Sequence, residues 1–247
     1  MNLILLAPAE IEPDGRAVLV DERGAHARDV LRVAVGDAVR VGVMNGPRGR
    51  GRVVMVSDAG VELACTFEAE PPPRPRVDLL LALPRPKVMK RLWAQLAALG
   101  VGRILLTNAA RVERNYFDTH VIDRSFFNPL LIEGLQQAQD TRLSEVSVHR
   151  RFKPLIEDEL STLSDAEVRL VLHPAAVDRV ADVLPSRPDT RVLLAIGPEG
   201  GWVPYELELL AMHGFRTCTL GVRTLRSDTA CIAALACVHD RLGAPPV

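Results

Sequence analysis

Several chemistries are excluded by what this sequence lacks. Its four cysteines, Cys65, Cys218, Cys231 and Cys237, form no CxxC pair, which speaks against a disulfide framework or zinc-thiolate site and fits buried free thiols in a reducing compartment. Its six histidines, His26, His120, His149, His173, His213 and His239, show no metal-ligand spacing, so no metal is expected. It has no GxSxG, HExxH or Walker motif, which sets aside the common serine hydrolases, zinc peptidases and P-loop enzymes. No apolar run approaches the roughly 20 residues of a membrane span. Met1–Ala9 is apolar but short and without a basic leader, unlike a secretory signal, so a cytoplasmic location is expected. An excess of one charge is also missing, because 30 basic residues face 31 acidic ones for a net −1.

The charge that is present is unevenly spread. Residues 1–70 carry 8 basic and 11 acidic side chains, residues 71–155 carry 14 and 7, and residues 156–247 carry 8 and 13. A basic middle in a near-neutral chain suits a polyanion footprint on one face, and it equally suits a solvated arginine-rich helix surface.

The organisation is that of two domains. Residues 1–70 show short strand candidates at Ala17–Val20, Asp37–Val43, Val53–Val56 and Val61–Phe67, a short helix at His26–Leu31, and a glycine turn over Gly46–Gly51. Strands at this spacing predict a small β-barrel. The tract Pro71-Pro72-Pro73-Arg74-Pro75 cannot enter a sheet or helix interior, so residues 71–76 read as a linker. Over 77–247 the pattern is α/β. Strands are expected at Val77–Leu83, Val101–Thr107, Val146–Val148, Val168–His173, Val192–Ile196 and Thr217–Leu220. Helices are expected at Lys87–Leu99, Phe126–Gln139, Val203–His213 and Ser227–Leu242. Alternation of this kind predicts a mostly parallel sheet covered on both faces.

Two segments near the C-terminus carry the sharpest signal. In Leu193–Trp202 (LLAIGPEGGW) an apolar strand stops at Gly197-Pro198-Glu199-Gly200-Gly201 and a helix follows. In Leu220–Ala230 (LGVRTLRSDTA) a strand stops at Gly221 ahead of the last helix. Such loops bind ligands at the carboxyl edge of a parallel sheet, and two of them can converge on one ligand. Glu199 argues against a phosphate there and suits a cationic or hydrogen-bond-donating ligand. Arg226 points to an anion, and Ser227 or Asp228 is placed to cap the last helix. His173, ending a strand at the same edge, is a candidate pocket residue. Arg40, Arg48, Arg50 and Arg52 lie on one hairpin with no acid between them. That hairpin reads either as a phosphate-backbone grip or as a solvated surface. A Rossmann oxidoreductase does not fit, because Val77–Leu83 runs into Pro84-Arg85-Pro86 instead of a glycine fingerprint.

Ile196-Gly197-Pro198-Glu199-Gly200-Gly201 with Glu206, followed by Leu220-Gly221-x-Arg223-x-Leu225-Arg226-Ser227-Asp228-Thr229-Ala230, resembles the signature of the ribosomal RNA small subunit methyltransferase E family. The resemblance extends over almost the whole chain, through His26, Val30-Leu31-Arg32, Gly36-Asp37, Leu99-Gly100-Val101 and Gln137 with Thr141-Arg142-Leu143. The chain departs from the family pattern at Gln95, Ala98, Gln136, Asp140 and Asp228. The resemblance implies a SPOUT-type parallel sheet with a C-terminal trefoil knot, joined to an N-terminal PUA-like RNA-binding barrel. It also implies S-adenosylmethionine-dependent methylation of N3 of a uridine in 16S rRNA of the small subunit, by a homodimer. On this reading Leu172, His173, Ile196, Gly197, Gly200, Gly201, Leu220, Gly221 and Leu225 bind the cofactor. Glu199 and Arg226 are catalytic, with Arg226 holding developing negative charge or a phosphate. Arg40, Arg48, Arg50, Arg52, Arg111 and Arg114 face RNA. The competing reading is a non-catalytic RNA-binding protein on a degenerate methyltransferase fold, or methylation of a different RNA.

Overall fold

The structure is a computed structural model that describes residues 2–243 except Ser186 and Pro188. The expected outer domain ends, Met1 and Val247, lie outside the described residues. The chain divides into two compact units, one of residues 1–73 with 132–143 and one of residues 74–131 with 144–247.

The first unit holds a five-stranded sheet in the order β1-β3-β4-β5-β2. Its strands are β1 (Ile4–Leu6), β2 (Arg16–Leu19), β3 (Ala38–Val43), β4 (Arg48–Ser57) and β5 (Gly60–Phe67), with helix α1 (Glu22–Asp29) between β2 and β3. β1 pairs parallel to β3 and the remaining pairs are antiparallel. Alternation along the strands turns Ile4, Leu6, Leu19, Val41, Val53 and Leu63 into one buried cluster. Besides the short helix, expected at His26–Leu31 and found at Glu22–Asp29, and the strand β1, which was not expected, two readings of this unit change. The expected turn over Gly46–Gly51 is confined to residues 44–47, and Arg48–Gly51 belongs to β4. Gly49 is there for close approach, since a Cβ on it would lie 2.2 Å from the Thr66 carbonyl oxygen.

The second change concerns residues 132–143, expected within the second domain and grouped instead with the first unit. Hydrogen bonds explain it. Asn45 N–H donates to the Thr141 carbonyl at 2.7 Å, and the Thr141 hydroxyl donates to the Gly46 carbonyl at 2.6 Å. Arg142 Nε donates to the Pro72 carbonyl at 2.7 Å. Such long-range polar ties leave no periodic mark in the sequence.

The second unit is a six-stranded sheet in the order β11-β9-β10-β6-β7-β8, with every pairing parallel. The strands are β6 (Val77–Ala82), β7 (Val101–Thr107), β8 (Glu145–His149), β9 (Val168–Leu172), β10 (Val192–Ile196) and β11 (Phe215–Cys218). The central β6 and β10 are buried at every position, as near-continuous apolar runs require when helices cover both faces, with Asp78 of β6 the one charged position. The helices are α2 (Pro86–Ala98), α3 (Arg124–Ala138, of which residues 132–138 group with the first unit), the short α4 (Phe152–Pro154), α5 (Leu160–Leu163) and α6 (Val180–Val183), then α7 (Pro204–Met212) and α8 (Ser227–Leu242). α2 buries Val88, Met89, Leu92, Trp93 and Leu96 on one face, the stripe its spacing predicts. α8 does the same with Cys231, Ala234, Leu235 and Val238. The last strand was expected at Thr217–Leu220 and runs at Phe215–Cys218, which frees Thr219 and Leu220 for the loop beyond it. Cys218 and Cys231 are buried, whereas Cys65 is half-buried and Cys237 is exposed, so the expectation of buried thiols fails for those two. No helix among the described residues is long and apolar enough to cross a membrane.

One charged cluster lies inside this unit. Asp78 of β6 is 1% exposed. It accepts the Arg103 N–H at 3.0 Å, and Arg191 Nη2 and Arg103 Nη1 lie 3.7 and 3.9 Å from its Oδ2. Burial pushes its carboxyl above the ordinary carboxylate range, against the pull of Arg191 and Arg103. Arg191 Nη2 is buried without a hydrogen-bond partner among the described residues. Asp78→Ala therefore leaves a buried cation under-compensated and should cost about 3 kcal/mol, read from urea unfolding midpoints. His239 of α8 provides a pH test. Burial lowers its pKa from 6.5, with Arg76 adding to the shift and a hydrogen bond to the Leu99 backbone opposing it. A base with a depressed folded pKa contributes stability that is present above 6.5 and lost as pH falls. The melting temperature should fall from pH 7.5 toward pH 5.5, and His239→Gln should flatten that fall.

Candidate functional site

Three neighbouring strands, β11, β9 and β10, point their carboxyl ends the same way. The loops that leave them enclose a cavity of about 300 Å³, at the edge where open parallel sheets take ligands. Leu172 ends β9 and His173 follows it. Ile196 ends β10, Gly197, Glu199, Gly200 and Gly201 come from the loop after it, and Leu220, Gly221 and Leu225 come from the loop after β11. The structure thus gathers these ten residues named from sequence, and Arg111 with them, around one cavity.

Backbone approach shapes the β10 loop. A Cβ on Gly197 would lie 3.1 Å from Trp202 Nε1, and one on Gly200 would lie 2.9 Å from Arg111 Cδ. The Trp202 ring lies 5.4 Å from that of Phe152, and its buried Nε1–H has no partner among the described residues. The Arg111 guanidinium donates to the Gly200 carbonyl. Glu199 Oε1 accepts the Arg85 N–H at 3.0 Å. Glu206, 3% exposed, accepts the Ala110 N–H at 2.7 Å through Oε1 and the Val203 N–H at 2.9 Å through Oε2. One buried carboxylate therefore ties the start of α7 to the loop after β7.

The β9 and β11 loops are held in similar ways. His173 N–H donates to the Cys218 carbonyl at 2.9 Å. Its Nδ1 accepts the Ala175 N–H at 3.3 Å, which in the neutral ring leaves the proton on Nε2. The Gly221 N–H donates to Thr219 Oγ1 at 3.1 Å, and Gly221 itself has φ +123°, a conformation that favours glycine. Burial pushes the Cys218 thiol up to about 12, so it is no nucleophile.

Arg226 does not line the cavity. It is the N-cap residue of α8, with its side chain 74% exposed and Nε 3.8 Å from Asp228 Oδ1. Arg111 and Arg223 are the arginines of the wall. Arg111 was named from sequence as an RNA residue, and Arg223 was quoted within the family signature but given no role. Arg114 lies at the start of a 3₁₀ turn and is exposed. The expected side-chain cap of α8 is also revised. Ser227 is inside the helix, and Asp228 accepts the Thr229 N–H at 2.9 Å and pairs with Arg91 at 2.9 Å. Together with burial, which opposes them, these contacts leave the Asp228 carboxyl below its usual range.

In the first unit, Arg48, Arg50 and Arg52 alternate with Gly49, Gly51 and Val53 along β4 and are all exposed. Arg40 pairs across the ladder with Arg50. Period-two geometry thus sets the four arginines on one face.

An RNA methyltransferase domain family matches residues 70–239, and the chain belongs to that class. Over 244 residues it is 30% identical to ribosomal RNA small subunit methyltransferase E of Treponema pallidum, covering 96% of this chain and 90% of that protein. It is 27% identical over 231 residues to the protein of the same name from Mycobacterium bovis, covering 92% and 87%. The chain is a member of the ribosomal RNA small subunit methyltransferase E family. A Legionella pneumophila structure whose bound cofactor is SAM superposes with a TM-score of 0.73 at 25% identity, covering 96% of each chain. The ribosomal RNA small subunit methyltransferase E of Neisseria gonorrhoeae, bound to S-adenosyl methionine, superposes at 0.76 and 20% identity over 96% of each chain, a likeness of fold.

Glu206 gives this site its simplest stability test. Glu206→Ala strands two backbone N–H groups and should cost about 2 kcal/mol, seen as a lower urea midpoint.

Proposed function

We propose that this protein transfers the methyl group of S-adenosylmethionine to N3 of a uridine in the 16S rRNA of the small ribosomal subunit. The observation that carries the reading is the convergence of three strand-end loops on one cavity. The residues fit the cofactor. The cavity volume is at the lower end of small-molecule sites, the glycines leave backbone within reach, and Trp202, whose buried Nε1–H has no partner among the described residues, lines the wall. Leu172, His173, Ile196, Gly197, Gly200, Gly201, Leu220, Gly221 and Leu225 would hold the cofactor, adenine and ribose against backbone groups and the apolar side chains around them. When bound, S-adenosylmethionine supplies a methyl group activated by its sulfonium.

The protein's own tasks are then to align the acceptor, exclude water and manage one proton. Uridine N3 is protonated at neutral pH, so the proton must leave before or during attack. Glu199, at the wall and with Oε1 engaged by Arg85, is the acceptor we assign to it. Arg111 holds the glycine loop through the Gly200 carbonyl and, with Arg223, supplies positive charge for the developing uracil anion. Of the two roles that the sequence left open for Arg226, its exposure supports the hold on a phosphate.

We further propose that the first unit is a PUA-like barrel module, with a domain boundary in the proline tract after residue 70. Its arginine face, Arg40, Arg48, Arg50 and Arg52, would meet the RNA backbone together with Arg114. We also propose a trefoil-knotted C-terminus and a cytoplasmic homodimer. The exposed Val222, Leu225 and Ile232 support an apolar interface.

Incubating the protein with radiolabelled S-adenosylmethionine and unmodified small subunits tests the reaction. Label should enter 16S rRNA and map to one uridine that stops reverse transcriptase, since N3 methylation blocks the pairing edge. Label at another atom, or none, contradicts the reading. Arg226→Ala should raise KM for RNA about tenfold, equivalent to ~1.4 kcal/mol, with kcat retained. A collapse of kcat would return Arg226 to the reacting centre.

A further inference from the structure

A second cavity lies in the first unit and is distinct from the strand-end site. It measures about 750 Å³, and its walls include Arg40, Arg48, Arg50, Phe67, Glu68 and Gln139. Gln139 has φ +57°, a left-handed conformation that costs a non-glycine residue energy and that persists where surrounding contacts hold it. The holding contact is visible, because Arg40 Nη1 donates to Gln139 Oε1 at 2.6 Å. A guanidinium has donors only, so this contact fixes which way the carboxamide faces. Both N–H groups of Gln139 Nε2 are then left as donors with no partner among the described residues. Glu68 brings an acceptor-only carboxylate to the same cavity, and Phe67 an aromatic ring. Arg50 has no ion pair among the described residues, while Arg48 is partly offset by Asp140 at 3.8 Å.

Cations alone would make a phosphate surface that ignores sequence. Donors oriented by Arg40, beside an acceptor-only carboxylate and a ring, make a site for a base edge, and base edges are open in single-stranded RNA. We infer that this groove takes a single-stranded stretch of the substrate RNA. Arg50 and Arg48 hold its phosphates, and the Gln139 carboxamide with Glu68 reads one base. The inference rests on the proposed function for the identity of the ligand as RNA, and it adds a sequence-reading subsite remote in the chain from the methyl-transfer loops.

The test uses fluorescein-labelled RNA decamers, oligo(U), oligo(C) and oligo(A), with anisotropy measured at several salt concentrations. Gln139→Glu keeps an oxygen for Arg40 and removes both N–H donors. Gln139→Gly relieves the backbone and should leave the melting temperature equal or higher. Both variants should bind the preferred decamer about tenfold more weakly and lose most discrimination between decamers. Arg50→Ala should weaken all three alike and reduce the salt slope by about one. Unchanged affinities and preferences in both Gln139 variants overturn the inference, as does equal binding of all decamers by the unaltered protein. Those results leave the proposed function standing if the unaltered protein still methylates 16S rRNA, and failure of that methylation overturns the proposed function whatever the decamers show.

Discussion

The site depends on one constraint: adjacent parallel strands must all end at the same edge. In the order β11-β9-β10, three consecutive carboxyl ends lie side by side, so the loops that follow them cannot avoid one another. Each loop leaves backbone donors and acceptors without ladder partners, and a ligand that takes up those groups is bound by the fold itself. Side chains then serve mainly to fix the loops. Glu206 ties the start of α7 to the Ala110 amide, Arg111 grips Gly200, and Thr219 closes on Gly221.

This explains which parts of the molecule could be read from sequence. β10 and β7 were expected at their observed bounds, because apolar runs ending at glycine or polar residues leave few alternatives. The cavity residues of Ile196–Gly201, and Leu220, Gly221 and Leu225, were legible for the same reason, since glycines beside a strand end mark backbone exposure. The last strand was misplaced by about two residues, because Thr217-Cys218-Thr219-Leu220 alternates polar and apolar more cleanly than Phe215-Arg216-Thr217-Cys218. Arg223 and Trp202 were given no role, as neither position in its loop has a pattern that distinguishes a wall residue from a solvated one.

The first unit shows the opposite limit. Glycine at 49 and 51 reads locally as a turn, yet both residues lie within β4, where the Thr66 carbonyl and Val41 leave no room for a side chain. Tertiary packing overrides the local signal, and extension of the strand is what aligns Arg48, Arg50 and Arg52. The grouping of residues 132–143 with this unit rests on Asn45, Thr141 and Arg142. None of these could be paired from spacing, and without them Gln139 would not have reached Arg40.

The claim at the centre of the account is that strand-end backbone, more than any side chain, grips the methyl donor. Amide hydrogen exchange of the full chain with and without S-adenosylmethionine measures this directly. The account predicts slowed exchange concentrated in two stretches, Gly197–Trp202 and Leu220–Leu225. Protection confined to other segments, or no protection at saturating cofactor, would contradict it.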